Sequence, residues 1–322
     1  MQNFDQIWFC TTCHLCQDRC PRGIPLTDEI VKARAELIET GNIPPDVRDM
    51  LLSIQKHRNP FGISKFKRDN WAKDLNVPNV KTNPNFEYLF YVGCANSFDT
   101  RNKQIAAKTV QIFNEIGLNY AVLGKEEGCC GNDVRRAGEE GLFELLMEEN
   151  IKIFEKYGVE KIVTHSPHCY NTFKNEYNGY EVKLVLEFIH DAIKKGKLNL
   201  KPLNIKVTYH DSCFLGRYNG IYDLPREVLK SIPGVELVEM KNNRKLSICC
   251  GGGAGNIIGE YPGEIKPARI RAREAAETGA EVLAVACPFC LLMLEDAVKA
   301  EGLDDKIVVK DIVELVYESA YE

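Results

Sequence analysis

Tyr88-Leu89-Phe90-Tyr91-Val92-Gly93-Cys94 and Ile205-Lys206-Val207-Thr208-Tyr209-His210-Asp211-Ser212-Cys213 share one pattern, a β-branched and aromatic run that ends in a cysteine. The correspondence continues on either side. Cys94, Cys129 and Cys169 recur as Cys213, Cys249 and Cys290, at offsets of 119, 120 and 121 residues. A second strand-like run precedes the last cysteines of each set, Lys161–Thr164 and Glu281–Ala286. Each half closes on a strand-then-helix pattern, Val182–Ile193 and Ile307–Ala320. Helical segments are expected between them, at Lys103–Ile116, Glu139–Tyr157 and Pro267–Thr278. Strands alternating with helices predict an α/β fold with a parallel sheet in each half, 83–203 and 204–322. The cysteines then fall just beyond strand ends, where open α/β sheets hold ligands. Two such halves are expected to pack about a pseudo-twofold axis with their cysteine sets facing each other.

Residues 1–82 read as a small α-helical unit. It opens on a cysteine run, followed by a helix over Thr27–Thr40, capped by Thr27 and closed by Gly41. Pro44-Pro45 restarts the chain into a second helix ending near His57. The proline- and asparagine-rich stretch Asn59–Asn85 reads as a linker.

The 322 residues are 44% apolar and 27% charged, an ordinary balance for a globular protein with real cores. A formal charge of −5 gives no electrostatic case for nucleic acid. The most apolar segment, Val282–Leu294, is too short to cross a bilayer and is broken by Pro288, so direct membrane insertion is not expected. The polar start carries no export signal. Many cysteines without one argue for a reduced cytosol rather than a disulfide framework. The expected location is cytoplasmic, or peripheral on a membrane complex, in an anaerobic host.

All thirteen cysteines divide among three sets. Cys10, Cys13, Cys16 and Cys20-Pro21 follow the bacterial ferredoxin spacing, in which three close thiolates hold a [4Fe-4S] cubane and the fourth serves another cluster. One such run leaves Cys20 three roles: a cluster completed by a partner chain, a fourth ligand to the same cubane, or half of a pair whose first motif lies upstream. A zinc knuckle fits less well, since zinc sites pair two Cys-x2-Cys units across a longer loop. The third set, Cys213, Cys249-Cys250-Gly251 and Cys287-Pro288-Phe289-Cys290, has five thiols and is the candidate catalytic centre. The glycines after the pairs would let backbone approach a bulky inorganic core. The first-half set, Cys94, Cys129-Cys130-Gly131 and Cys169, carries Ser166 where the later half has Cys287. Ser166 itself, a poor ligand for soft metals, His165 and His168 are the possible substitutes, and a four-thiolate cluster, a modified iron–sulfur cluster with one iron open or zinc its possible content. Gly251–Gly255 fits no phosphate-loop register. His210-Asp211 could supply protons or hydrogen-bond the strand end; Arg217 and Arg244 could hold an anion or lie on the surface; Trp8 would shield a cluster. Arg269–Glu277 reads as a solvated helix face.

Residues 86–322 resemble the CCG-domain proteins, and among them the B-type and D-type iron–sulfur subunits of heterodisulfide reductase. The resemblance is carried by Tyr91-Val92-Gly93-Cys94-Ala95, Cys129-Cys130-Gly131, Tyr209-His210-Asp211-Ser212-Cys213, Gly216-Arg217-Tyr218-Asn219-Gly220, Cys249-Cys250-Gly251-Gly252-Gly253 and Ala286-Cys287-Pro288-Phe289-Cys290. Trp8 to Arg22 resembles a cluster motif of the ferredoxin-like C-type subunit, so the whole layout is close to the D-type one. The resemblance implies a noncubane [4Fe-4S] cluster on Cys213, Cys249, Cys250, Cys287 and Cys290. It implies the iron–sulfur catalytic subunit of a disulfide reductase acting on a coenzyme M–coenzyme B type disulfide, as in methanogenesis. Electrons would enter at Cys10, Cys13 and Cys16, with His210 as the nearest proton source. Ser166 departs from the pattern and puts a second noncubane cluster in doubt. The implied partners are a flavoprotein and a ferredoxin-like or membrane cytochrome subunit. The rival expectation is an electron-transfer subunit relaying between a flavoprotein and a quinone, without a substrate of its own.

Overall fold

The computed structural model describes residues 4–259 and 266–322. Each half builds a four-stranded, all-parallel sheet. In the first, β1 (Tyr88–Tyr91), β2 (Tyr120–Ala121), β3 (Lys161–Thr164) and β4 (Glu181–Leu184) lie in the order β2-β1-β3-β4. In the second, β5 (Ile205–Tyr209), β6 (Val235–Val238), β7 (Val282–Val285) and β8 (Val308–Asp311) repeat it as β6-β5-β7-β8. Registers such as Phe90↔Val163 and Val207↔Val282 bring apolar side chains into line. Strands β1 and β7 are buried at every position, which is why they read as unbroken apolar runs rather than alternating ones. Two strands escape the sequence pattern. β2 is only two residues long, and β6 lies half-buried at a sheet edge.

The two halves pack reciprocally. Helix Thr100–Glu115, which follows β1, lies on Ile312–Tyr321, which follows β8. Helix Val185–Lys194, which follows β4, lies on Asp223–Ser231, which precedes β6. These are equivalent contacts exchanged across a pseudo-twofold axis, as expected. One apolar core runs through both halves, with Phe90, Val110 and Ile189 joining Val207, Leu229 and Ile312. Arg101 locks the seam with two 2.6 Å bonds to Glu314. Helix Ile312–Tyr321 starts on a capping box, in which Asp311 accepts from Val313 N and Glu314 reaches back to Asp311 N.

Two expectations for the N-terminal unit need correction. Thr27 is not a cap: the helix is Leu26–Glu39, Pro25 holds the cap position, and the Thr27 hydroxyl donates to Gln17 Oε1 at 2.8 Å. The far end does close on Gly41, whose φ of +75° permits the paired bonds Gly41 N to Ile38 O and Asn42 N to Leu37 O. The second helix runs Pro45–His57. Asn59–Asn85 is not a free linker either. Asn59 is fully buried, its amide donating to His57 O and Ile63 O, and Asn79 adds a parallel bridge to Val122 beside β2. The asparagines satisfy backbone in turns packed on the first half, which composition alone does not separate from solvated turns.

Candidate metal centres

The third set sits at the carboxyl end of the second sheet. Cys213 follows β5, and Cys287 and Cys290 open the helix Pro288–Ala300 beyond β7. Cys249 and Cys250 come in on the intervening loop, and none of the five is more than 7% exposed. Cys290 and Cys250 sulfurs are 3.4 Å apart, Cys249 touches Cys213, and Cys287 touches Cys290. Gly251 N donates to Cys249 Sγ at 3.3 Å. The neighbouring Cys249 sulfur and burial together push the Cys213 thiol up, as the Cys250 and Cys287 sulfurs do for Cys290. Five crowded sulfurs in a dry site cannot all carry charge unless cations share it, so this donor set fits a soft-metal cluster.

Protein also packs closely on the glycines of the paired-cysteine loops. A Cβ on Gly252 would lie 2.9 Å from Met293 Cγ, on Gly253 2.5 Å from Thr11 O, and on Gly131 2.8 Å from Phe143 Cδ2. Gly131 and Gly251 also share a left-handed φ, +87° and +91°.

The N-terminal run packs directly on the third set. Thr11 Oγ1 donates to Cys249 Sγ at 3.4 Å, and Cys13 touches the same sulfur. Arg217 clamps the contact by donating to Cys13 O at 2.5 Å and Ser247 O at 2.7 Å, while its Nη2 is buried without a hydrogen-bond partner. Arg244 is exposed and paired with Asp223 at 2.6 Å. Cys10, Cys13 and Cys16 act on one another electrostatically, whereas Cys20 sits apart, its thiol drawn down by the N–H groups of Ile24, Arg22 and Gly23. Trp8 is 5% exposed beneath the guanidinium of Arg34. Arg34 is itself fully buried, and donates to the carbonyls of Ile7, Trp8, Cys10 and Arg136.

In the first set the sulfurs form a chain of contacts, Cys94 to Cys129, Cys129 to Cys130 and Cys130 to Cys169. They line a cavity of about 30 Å³. Arg68, 1% exposed, donates to Cys94 Sγ at 3.5 Å and to Glu127 Oε1 at 2.9 Å. Glu127 in turn receives Val92 N and Gly93 N, which fixes the turn that presents Cys94. A buried cation beside four thiols suits an anionic metal–thiolate centre. Neither candidate histidine replaces the missing cysteine. His165 is held between Asn96 and Asp311, at 3.3 and 3.0 Å, and His168 turns toward Cys287 of the other half. Ser166 caps the helix Pro167–Asn175 by accepting Cys169 N.

His210 lies with Cys250 and Cys290, the ligand atoms of all three within 4.8 Å of one another. Its Nδ1 is 3.1 Å from Arg271 Nε, a permanent donor, so Nδ1 is an acceptor and the ring is neutral. Burial, then Arg271, hold its pKa down to about 3. His210 was expected as the proton source; with Nδ1 accepting from Arg271, its ring proton sits on Nε2, in the group it forms with Cys250 and Cys290. The helix Pro267–Ala276, expected to be a solvated face, supplies this grip: Arg271 is fully buried and bonds Glu274, 8% exposed, at 2.7 Å. Asp211 is likewise occupied, by a two-pronged bond from Arg226 at 2.7 and 2.8 Å.

A groove of about 300 Å³ opens beside the third set, with Cys250 and Gly251 in its wall beside Phe61, Lys266, Leu292 and Met293. Between the two halves, by contrast, the rings of His168, Phe214 and Phe289 fill the seam. No helix among the described residues is long and apolar enough to cross a membrane.

The CCG cysteine-rich domain matches twice, over residues 88–174 and 207–295. A probable iron–sulfur-binding oxidoreductase of Bacillus subtilis is 41% identical over 98% of the chain and 46% of its own length. The EtfAB:quinone oxidoreductase of Syntrophomonas wolfei is 36% identical, again over 98% of the chain and 46% of its own length. The D-type subunit of the dihydromethanophenazine:CoB–CoM heterodisulfide reductase of Methanosarcina mazei is 32% identical over 98% of the chain and 78% of its own length. The chain thus spans about half the length of the first two relatives.

Proposed function

The chain belongs to the CCG cysteine-rich domain family of iron–sulfur oxidoreductases, and from that premise we propose that it reduces a small disulfide at the third cysteine set, as one member of a redox complex. The observation that carries this reading is the position of that set between an entry and an opening. Cys13 and Thr11 press on Cys249 from one side, and the groove meets Cys250 on the other. A pure relay needs no ligand-sized space at its last centre.

A noncubane [4Fe-4S] cluster bound by Cys213, Cys249, Cys250, Cys287 and Cys290 would supply electrons and a Lewis-acidic iron. The chain's own residues do the rest. Phe61, Leu292 and Met293 offer an apolar wall to the substrate, and Lys266 and Arg269 offer charge to anionic substituents. The groove, not the ring-filled seam between the halves, is the substrate's route. Gly251 N holds the Cys249 sulfur by a hydrogen bond and His210 stands beside those of Cys250 and Cys290, while the two protons that accompany two electrons into a disulfide come from groove water. Cys10, Cys13 and Cys16 would hold the entry cubane, and Cys20, exposed to a different environment, a cluster completed outside this set. A flavoprotein, and a ferredoxin-like or membrane cytochrome subunit, are the proposed partners.

The test is disulfide reduction by anaerobically purified, iron-replete protein, with a reduced viologen as donor and the coenzyme M–coenzyme B disulfide as acceptor. Turnover is expected, and its loss in Cys250→Ala with the N-terminal cubane retained. A second reading, a relay between a flavoprotein and a quinone, is favoured by the likeness to the Bacillus and Syntrophomonas oxidoreductases. Clusters that viologen reduces without disulfide turnover would select it.

A further inference from the structure

The degenerate first set reaches across the pseudo-twofold axis into the complete third set. His168 and Cys169 are neighbours in the first turn of helix Pro167–Asn175. Cys169 turns its sulfur to Cys130, while His168 turns the other way and meets the sulfur of Cys287. The His168 ring lies 4.3 Å from that of Phe214 and 4.5 Å from that of Phe289, measured between centroids. Phe289 holds in Cys287-Pro288-Phe289-Cys290 the position His168 holds in Ser166-Pro167-His168-Cys169. The two equivalent residues therefore touch on the axis, and a phenylalanine at 168 would make an all-apolar seam.

An imidazole in that seam, 6% exposed, needs partners for both nitrogens. Asn132, directly after Cys129-Cys130-Gly131, bonds Nδ1 at 2.9 Å. The atom that faces the ring is the Asn132 amide nitrogen, and an amide NH2 only donates. Nδ1 is therefore the acceptor, and the ring proton sits on Nε2 toward Cys287. Ser166 caps this turn, so the turn carries one ligand where its counterpart carries two.

We propose that His168 is a positioning residue for the third set: its Nε2–H donates to Cys287 Sγ and raises the reduction potential of the cluster held there. A hydrogen bond to a ligand sulfur stabilises the more reduced, more negative state. Because Cys169 anchors the same turn, whatever metal the first set binds holds this donor in position. The first set then supports the third rather than duplicating it. The inference rests on an iron–sulfur cluster at the third set, and not on the disulfide substrate.

The test is a redox titration followed by electron paramagnetic resonance on anaerobic, iron-replete protein, with the N-terminal cubane as internal reference. At fixed ambient potential, His168→Phe is expected to lower the reduced-to-oxidised ratio of the third-set cluster about tenfold, equal to ~59 mV for a one-electron couple. His168→Gln, which returns an N–H near the same point, recovers most of it. Asn132→Ala, which frees the ring, shifts the ratio in the same sense by less, and decides the matter if His168→Phe fails to take up iron. Equal shifts in His168→Phe and His168→Gln would reduce His168 to packing, and no shift in either His168→Phe or Asn132→Ala would overturn the proposal. A wild-type protein with the cubane signal but none from the third set would refute the cluster assignment instead.

Discussion

Four buried or half-buried arginines organise the metal centres, each by gripping groups that other chemistry cannot satisfy. Arg68 faces Cys94 and Glu127, Arg217 joins the Cys13 and Ser247 carbonyls, Arg271 fixes the ring of His210, and Arg34 collects carbonyls around Cys10. Arg34 is the sharpest case, because a planar fork serves several acceptors at once and an ammonium cannot. Arg34→Lys is expected to leave at least one of those carbonyls without a donor, at about 2 kcal/mol. Iron analysis and the cubane's spin signal would show the effect, with the N-terminal centre depleted and the third-set signal kept; equal depletion of both would disprove a local role. Arg34, Arg68 and Arg271 were not legible in the sequence, where arginine is by default a surface residue, and Arg217 was read only as an anion holder or a surface residue. The cysteines were legible because spacing alone marks a soft-metal donor set. That His168 would serve the other half was hidden, since its partner Cys287 is 119 positions away.

Elements were read best where burial is complete on both faces. Strands β1, β3, β5 and β7 stand within a residue or two of expectation, and the helices Thr100–Glu115, Glu140–Lys156 and Pro267–Ala276 within a turn of it. Parallel strands covered by helices leave continuous apolar runs, which is what made them visible. The failures share a cause: β2, β6 and the 59–85 segment are held by neighbours rather than by their own periodicity. The glycine loop after Cys250 is another element shaped by a neighbour. A methyl on Gly253 would meet Thr11 O, a backbone atom that cannot step aside as a flexible side chain could. Gly253→Ala should therefore push the Cys10–Cys16 loop off Cys249 and slow electron passage between the two centres by an order of magnitude or so, read by rapid-mixing reduction. Gly302→Ala is the control. It has a left-handed φ of +61°, which Gly253 lacks, and open space around it, so it should cost about 1 kcal/mol of stability and leave that rate unchanged.

At the scale of the whole molecule, the repeat predicted the pseudo-twofold pair, but not that the N-terminal unit would set its cysteine run on the second half and its helix Leu26–Glu39 on the first. That asymmetry gives the three centres different exposure. Cys16 is exposed and Cys20 half-buried, whereas the third set, apart from the groove wall at Cys250, is covered by Thr11, Phe289 and the glycine loop, with no sulfur above 7% exposed. A chelator reaches iron only where solvent does or after local opening, and opening the third set means lifting the N-terminal unit or parting the shared core. Iron removal should therefore be stepwise. An iron chelator under mild anaerobic conditions is expected to erase the cubane signal first, while the third-set signal persists for at least several-fold longer. Because the N-terminal run covers Cys249, the second phase should then speed up once the first is complete, rather than follow an independent exponential. A Thr11→Val, Arg217→Met double variant, which loosens that cover, should merge the two phases. Simultaneous loss in the unmodified protein would mean that the clusters leave by global unfolding, and the protective role of the N-terminal unit would fail.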